Sequence, residues 1–168
     1  MYATNAANRF VYLFAERTEL DTLPDGSPIR DLARYWDRLP RTGELPSRAA
    51  IDPGSMSPLI LPWIFLLDVL REGDSFDYRY RLVGTSNVEL VGRDPTGRLV
   101  SEVFADNDHR FIMDTFTTTV REAVPTYWRA AVPHDQYERT EIHRGLFPLA
   151  DDGRTVDRLL CIAVPNHA

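Results

Sequence analysis

The chain has 168 residues, 43% of them apolar and 26% charged, with a net charge of −6. A chain this long buries roughly 70% of its unfolded surface, so one domain can close a core without disulfide or metal staples. The acidic balance argues against a nucleic-acid partner and against an anionic membrane surface, both of which call for a basic face. Cys161 is the only cysteine, which excludes an intrachain disulfide and a zinc–thiolate cluster and suits a reducing cytoplasm. The first residues lack the charged-then-apolar order of a signal peptide. The longest apolar run, Leu59 to Leu67, is interrupted by Pro62 and is far short of the about 20 residues that span a bilayer.

Residues 1–27 read as an N-terminal arm. Phe10, Leu13, Phe14 and Leu20 fall on one helical face, which predicts a helical arm. Phe10, Tyr12 and Phe14 also alternate, which leaves a strand open. Pro24-Asp25-Gly26 is a turn. Ser27-Pro28 is a helix start, with a capping hydroxyl followed by proline at the first helical position. Ile29, Leu32, Ala33, Trp36 and Leu39 continue at helical spacing until Pro40. Three prolines and Gly54 make residues 46–58 an extended connection, with one helical turn expected after Asp52-Pro53.

Residues 63–70 are predicted as a strand covered on both faces. Arg71 to Ser75 is a hairpin loop. In the next strand Phe76, Tyr78, Tyr80 and Leu82 alternate with Asp77, Arg79 and Arg81, the clearest period of two in the chain. A short helix is expected from Thr85 to Val91. A longer one opens at Asp106 or Asn107 and ends near Ala123, with Phe111, Ile112, Thr115, Phe116, Thr119 and Val120 as its inner stripe. Three threonines in a row, Thr117 to Thr119, are poor helix formers, so packing must hold that helix. Strands follow at about 126–132, 138–148 and 155–164. Sequential hairpins predict an α+β fold, a five-stranded antiparallel sheet with helices on one face.

That order, two strands, a helical crossover and three strands, is the order of a PAS domain. Tyr80-Arg-Leu-Val-Gly-Thr85, Glu89-Leu-Val-Gly-Arg-Asp94 and Thr96-Gly97-Arg98 are similar to the strand-to-helix passage of such domains. With Arg34-Tyr-Trp36, Pro46-Ser-Arg48, Ile51-Asp-Pro53, Leu61-Pro62 and Phe147 to Gly153, the chain resembles a family of single-domain bacterial PAS-like sensory proteins. The resemblance covers about residues 28–164, the expected domain, leaving the arm 1–27 and the tail 165–168 outside. It implies a PAS-like fold and a sensing or protein-contact role, and it supplies no catalytic residues. Glu141-Ile-His-Arg-Gly-Leu146 is more polar than the family pattern at that point.

Tyr78, Tyr80, Phe116, Trp128 and Ile142 are candidates for the space between sheet and helices, where a PAS fold can hold a small molecule. A packed core is the alternative. Thr126, Trp128, Ala130 and Val132 share one strand face, which points Trp128 inward. No catalytic or metal residues are assigned and no cofactor is expected. His109 lies at the start of the long helix, outside the inner stripe a haem ligand needs. Its cluster with Asp106 and Asp108 reads as a solvated helix N-terminus. Cys161 lies in the last strand and reads as a structural thiol, not the reactive cysteine of a flavin sensor. No phosphate loop and no nucleophile elbow is present. His143 has the opposite parity to Ile142 and is expected to face away from the interior.

The leading expectation is a stand-alone cytoplasmic regulatory PAS domain, not an enzyme, that senses a small molecule, signals through a protein partner in trans, or both. The alternatives are an interaction module with a filled core and a small α+β enzyme. Leu159 to Val164 and Trp63 to Leu67 are apolar on both faces, so the outer face of the sheet needs a cover. The arm, residues 1–22, or a second subunit in a homodimer is expected to provide it.

Overall fold

The computed structural model describes residues 13–104, 109–132 and 140–166. Ten elements follow one another: β1 (Phe14–Thr18), α1 (Pro28–Arg38), β2 (Ile64–Glu72), β3 (Ser75–Val83), α2 (Thr85–Val91), α3 (Val100–Val103), α4 (His109–Glu122), β4 (Thr126–Val132), β5 (Thr140–Leu149) and β6 (Arg158–Pro165). Ser27 caps α1, its Oγ accepting from the Ile29 N–H at 3.3 Å. Asp52 caps the 3-10 turn Pro53–Ser55 in the same way, its carboxylate accepting from the Gly54 N–H, at the place the sequence predicts one.

The strands form one sheet in the order β1-β4-β5-β6-β2-β3, every pairing antiparallel. The α+β, PAS-like plan expected from the sequence is therefore present, with two differences. The first is the arm. Of the helix and strand left open by the sequence, its described part takes the strand, a sixth one with Phe14 opposite Ala131 and Thr18 opposite Tyr127, followed by the 3-10 turn Leu20–Thr22. The reason is the free edge of β4, whose carbonyls and N–H groups need partners. The Leu13 N–H, for example, reaches the Ala131 carbonyl at 2.8 Å. Phe10 and the rest of residues 1–12 lie outside the described residues.

The second difference is that helices cover both faces of the sheet. Along β5 the side chains alternate. Arg144 points to α4, where its Nη1 donates to Thr115 Oγ1 at 2.9 Å. Gly145 points the other way, against α1. A Cβ there would come within 2.8 Å of Ile29 Cγ2, so only glycine lets α1 settle this close. Trp36 of α1 donates Nε1–H to the Pro148 carbonyl at 3.0 Å, and its ring meets Phe147 at 6.1 Å. The outer face is thus closed by α1, with Ile29, Leu32, Ala33 and Trp36 inward. The arm contributes Leu20 and Leu23, which pack on the same core. Central β6 can accordingly be apolar throughout: Leu159 to Val164 are all buried.

The two sheet edges are protected differently. The edge of β3 is occupied by residues 97–99: the Tyr80 N–H donates to the Arg98 carbonyl and the Gly97 N–H to the Tyr80 carbonyl. The edge of β1 is short and carries Glu16 and Arg17, features that discourage further strand pairing.

If α1 is an integral cover of the sheet, Trp36→Ala should destabilise the protein by about 3–5 kcal/mol, from lost transfer energy and the cavity left behind. Urea unfolding measures this directly. A shift within about 0.5 kcal/mol, as at surface sites, would mean that α1 is only loosely attached.

Candidate functional site

The inner face of the sheet and the helical segment from α2 to α4 enclose the interior. The period of two in β3 turns Tyr78 and Tyr80 inward, and both are buried. Phe116 of α4 descends onto them, 5.1 Å from the Tyr78 ring, and Phe65 of β2 completes the group at 6.4 Å from Phe116 and 6.0 Å from Tyr80. The Tyr78 hydroxyl is 2.8 Å from Thr117 Oγ1. Burial pushes this phenol up to about 12, partly offset by that hydrogen bond, so it stays protonated. Three of the five expected residues, Tyr78, Tyr80 and Phe116, are therefore in one aromatic cluster. Ile142 and Trp128 share the same sheet face but stand on β5 and β4, across β6. Trp128 is half-buried and Ile142 fully buried.

Among the described residues the aromatic cluster leaves a cavity of about 20 Å³ beside it, room for one water. Its wall includes Phe65, Tyr80, Asn87, Phe104, Ile112 and Arg144. Of the five expected residues only Tyr80 lines it. The sequence reading missed Phe65, Asn87 and Arg144. Asn87 is buried on α2 and donates its amide to the Trp63 carbonyl, fixing α2 to the start of β2. Arg144 is the largest side chain buried below 2% exposure. A signal for it existed: it has the inward parity of Ile142 and Leu146. Its charge concealed that signal, since an arginine on a strand is normally exposed.

The inward arginine explains the threonines of α4. Thr115 and Thr119 are fully buried, and each donates its hydroxyl to a carbonyl one turn back, Ile112 and Thr115 respectively. Thr115 Oγ1 then accepts from Arg144, whose guanidinium also lies 5.0 Å over the Phe116 ring. Thr119 has used its only proton, so at 2.6 Å Thr126 is the donor in their pair. Trp128 Nε1–H closes the series on Thr126 Oγ1 at 2.8 Å. Phe111 is the one member of the expected stripe that faces out, 43% exposed. Ile112, Thr115, Phe116 and Thr119 keep the three-and-four spacing, and Phe111 lies to the side of it.

Burial pushes the Cys161 thiol well up, with the Arg144 charge acting the other way, so the thiol stays protonated and unreactive. His143 faces the outer side, as its parity predicts, beside Pro24, Ser27 and Val164. Desolvation lowers its pKa, Glu141 raises it, and Arg129 lowers it further. The proposed grouping of His109 with Asp106 and Asp108 falls outside the described residues, as do His134 and His167. Among the described residues no cluster of three histidine, cysteine or acidic side chains could hold a metal ion. Among them, too, no helix is long and apolar enough to cross a membrane.

An antiparallel sheet closed over a small interior by a run of helices is an α+β domain of PAS-like plan. The family model of the PAS domain matches residues 25–164, and the chain belongs to that family. No curated protein and no solved structure matches it significantly.

Thr119→Val removes the acceptor for Thr126 while conserving shape, and should cost about 1–3 kcal/mol. Thr119→Ser keeps the hydroxyl and should recover most of that. Equal stabilities for the two variants in urea melts would show that the hydroxyl series contributes nothing.

His143 gives a pH signature. Its native pKa is lowered, so the fold favours the neutral ring. That preference adds stability above the unfolded-state value of about 6.5 and is lost as pH falls through the native pKa. The melting temperature of His143→Gln relative to wild type should rise between pH 8 and pH 5. A constant offset across that range would count against the assignment.

Proposed function

We propose that this PAS domain is a cytoplasmic regulatory module that acts by binding another protein, and that it performs no reaction of its own. The supporting observation is the filled interior. Ligand pockets usually run to about 300–1,000 Å³, whereas among the described residues the interior leaves a cavity of about 20 Å³. Tyr78, Phe116 and Ile142, which a ligand would have to displace, are fully buried against their neighbours. The described lining of the cavity holds no carboxylate, histidine or thiol to serve as acid, base or nucleophile.

A second reading has one observation in its favour. Arg144 and Asn87 both reach the wall of the cavity, and such groups orient polar small molecules. In that reading a small ligand sits among Tyr78, Tyr80, Phe116, Trp128 and Ile142 after α2 and α4 move away from the sheet. Native mass spectrometry of the protein, purified without denaturation, separates the two. The filled-core reading expects the mass of the bare chain or of a whole multiple of it. A stoichiometric small-molecule adduct that leaves on denaturation would overturn it in favour of the second.

A further inference from the structure

We infer that the groove beside α1 on the outer side of the domain is the docking site for an acidic, amphipathic segment of a partner protein. This rests on the protein-contact reading above and gives it a location. The groove encloses about 510 Å³, against about 20 Å³ inside the fold. One wall is α1, which presents Arg34, Tyr35 and Arg38. The other is the turn from Ser55 to Ile60. The floor is apolar and rigid: Met56 and Ile60 are anchored in the core. The Tyr35 hydroxyl is held from both sides, donating to the Asp52 carbonyl at 3.1 Å and accepting from the Asp52 N–H at 2.8 Å. Leu59, between two residues of the groove wall, is 78% exposed, the most of any large apolar side chain among the described residues. A preformed apolar floor, with an exposed leucine adjoining Ile60 in the chain, suits a large aliphatic or aromatic anchor.

Charge selects the flanks of that anchor. The chain as a whole is acidic, at −6, yet the groove rim carries two arginines and one aspartate. Asp31 is engaged by Arg34 at 2.9 Å. Arg38, exposed one turn further on, makes no ion pair among the described residues. Arg38 is thus the cation this rim offers a ligand, with the Asp52 carboxylate already held by the Ser55 hydroxyl. An acidic segment would be steered to this place and repelled from most of the remaining surface. Carboxylates flanking an apolar anchor would meet Arg38 and compete with Asp31 for the Arg34 fork.

The test is a display selection of random 12-residue peptides against the full chain, followed by binding of the enriched peptides to wild type and to the double variant Arg34→Glu, Arg38→Glu. Both substitutions are on exposed positions, and circular dichroism verifies that the variant folds. The expected result is enrichment of acidic peptides with a large apolar residue. Their binding should fall at least tenfold in the double variant and return when glutamates in the peptide are exchanged for lysines. Leu59→Asp should weaken binding without altering the melting curve. Failure to enrich, enrichment of neutral or basic peptides, or equal binding to the variant would overturn the docking site. So would a dimer in light scattering that the double variant dissociates, because a second copy would then occupy the groove. Each of these leaves the native mass result, and with it the reading of the interior, to stand or fall separately.

Discussion

A central strand that is apolar on both faces cannot border water on either side. β6 is such a strand, and the architecture around it follows from the need to cover it twice. The inner cover is the helical run between β3 and β4, with α4 lying over the aromatic residues of β2 and β3. The outer cover is α1, set down before the first central strand is made and held by Trp36, Ile29 and the space that Gly145 leaves open. Burial at about 25 cal/mol per Å² acts on both sides of the same backbone. Neither cover is an accessory to the other.

Within that frame one polar group sets the fine structure. A guanidinium enclosed at the level of α4 requires hydrogen-bond acceptors and a polarisable surface, because an unmet buried charge is costly. Thr115 and the face of Phe116 supply them. The hydroxyl series from Thr115 through Thr119 and Thr126 to Trp128 then links α4 to β4 in a single donor direction. Such directed contacts specify one register of helix on sheet, where a purely greasy interface would accept several.

Much of the fold was legible in the sequence, and the omissions have physical causes. Ser27-Pro28 located the start of α1 to the residue. The alternation through Tyr78 and Tyr80 gave β3 and its inward face, but Leu82, the last of the set, is 45% exposed where the register with β2 shifts between Leu66 and Leu67. The stripe of α4 was correct apart from Phe111. β1 was left open between helix and strand because the short arm carries both periods, and the decision is made by the open edge of β4, a partner more than a hundred residues away. The two-sided apolarity of β6 announced a second cover without saying which segment supplied it. In the interior, the tyrosines were readable from strand parity and Phe116 from the helical stripe. Arg144 was not, since its parity and its charge give opposite answers and only the packed threonines decide between them.

Two hairpin turns of the sheet, β5–β6 and β2–β3, differ in how much rewriting they admit. Gly43 and Gly153 meet backbone to backbone, a Cβ on either coming within about 3 Å of the other, and the Gly153 carbonyl accepts from both the Glu44 and the Leu45 N–H. The β5–β6 turn therefore serves as a clasp for the chain leaving α1, and its length is tied to that distant segment. At Gly73, between β2 and β3, nothing lies within 4 Å of the position a Cβ would take, and only its φ of +59° ties that position to glycine. For anyone grafting a reporter or a fluorophore into this scaffold, the first turn is closed and the second is open.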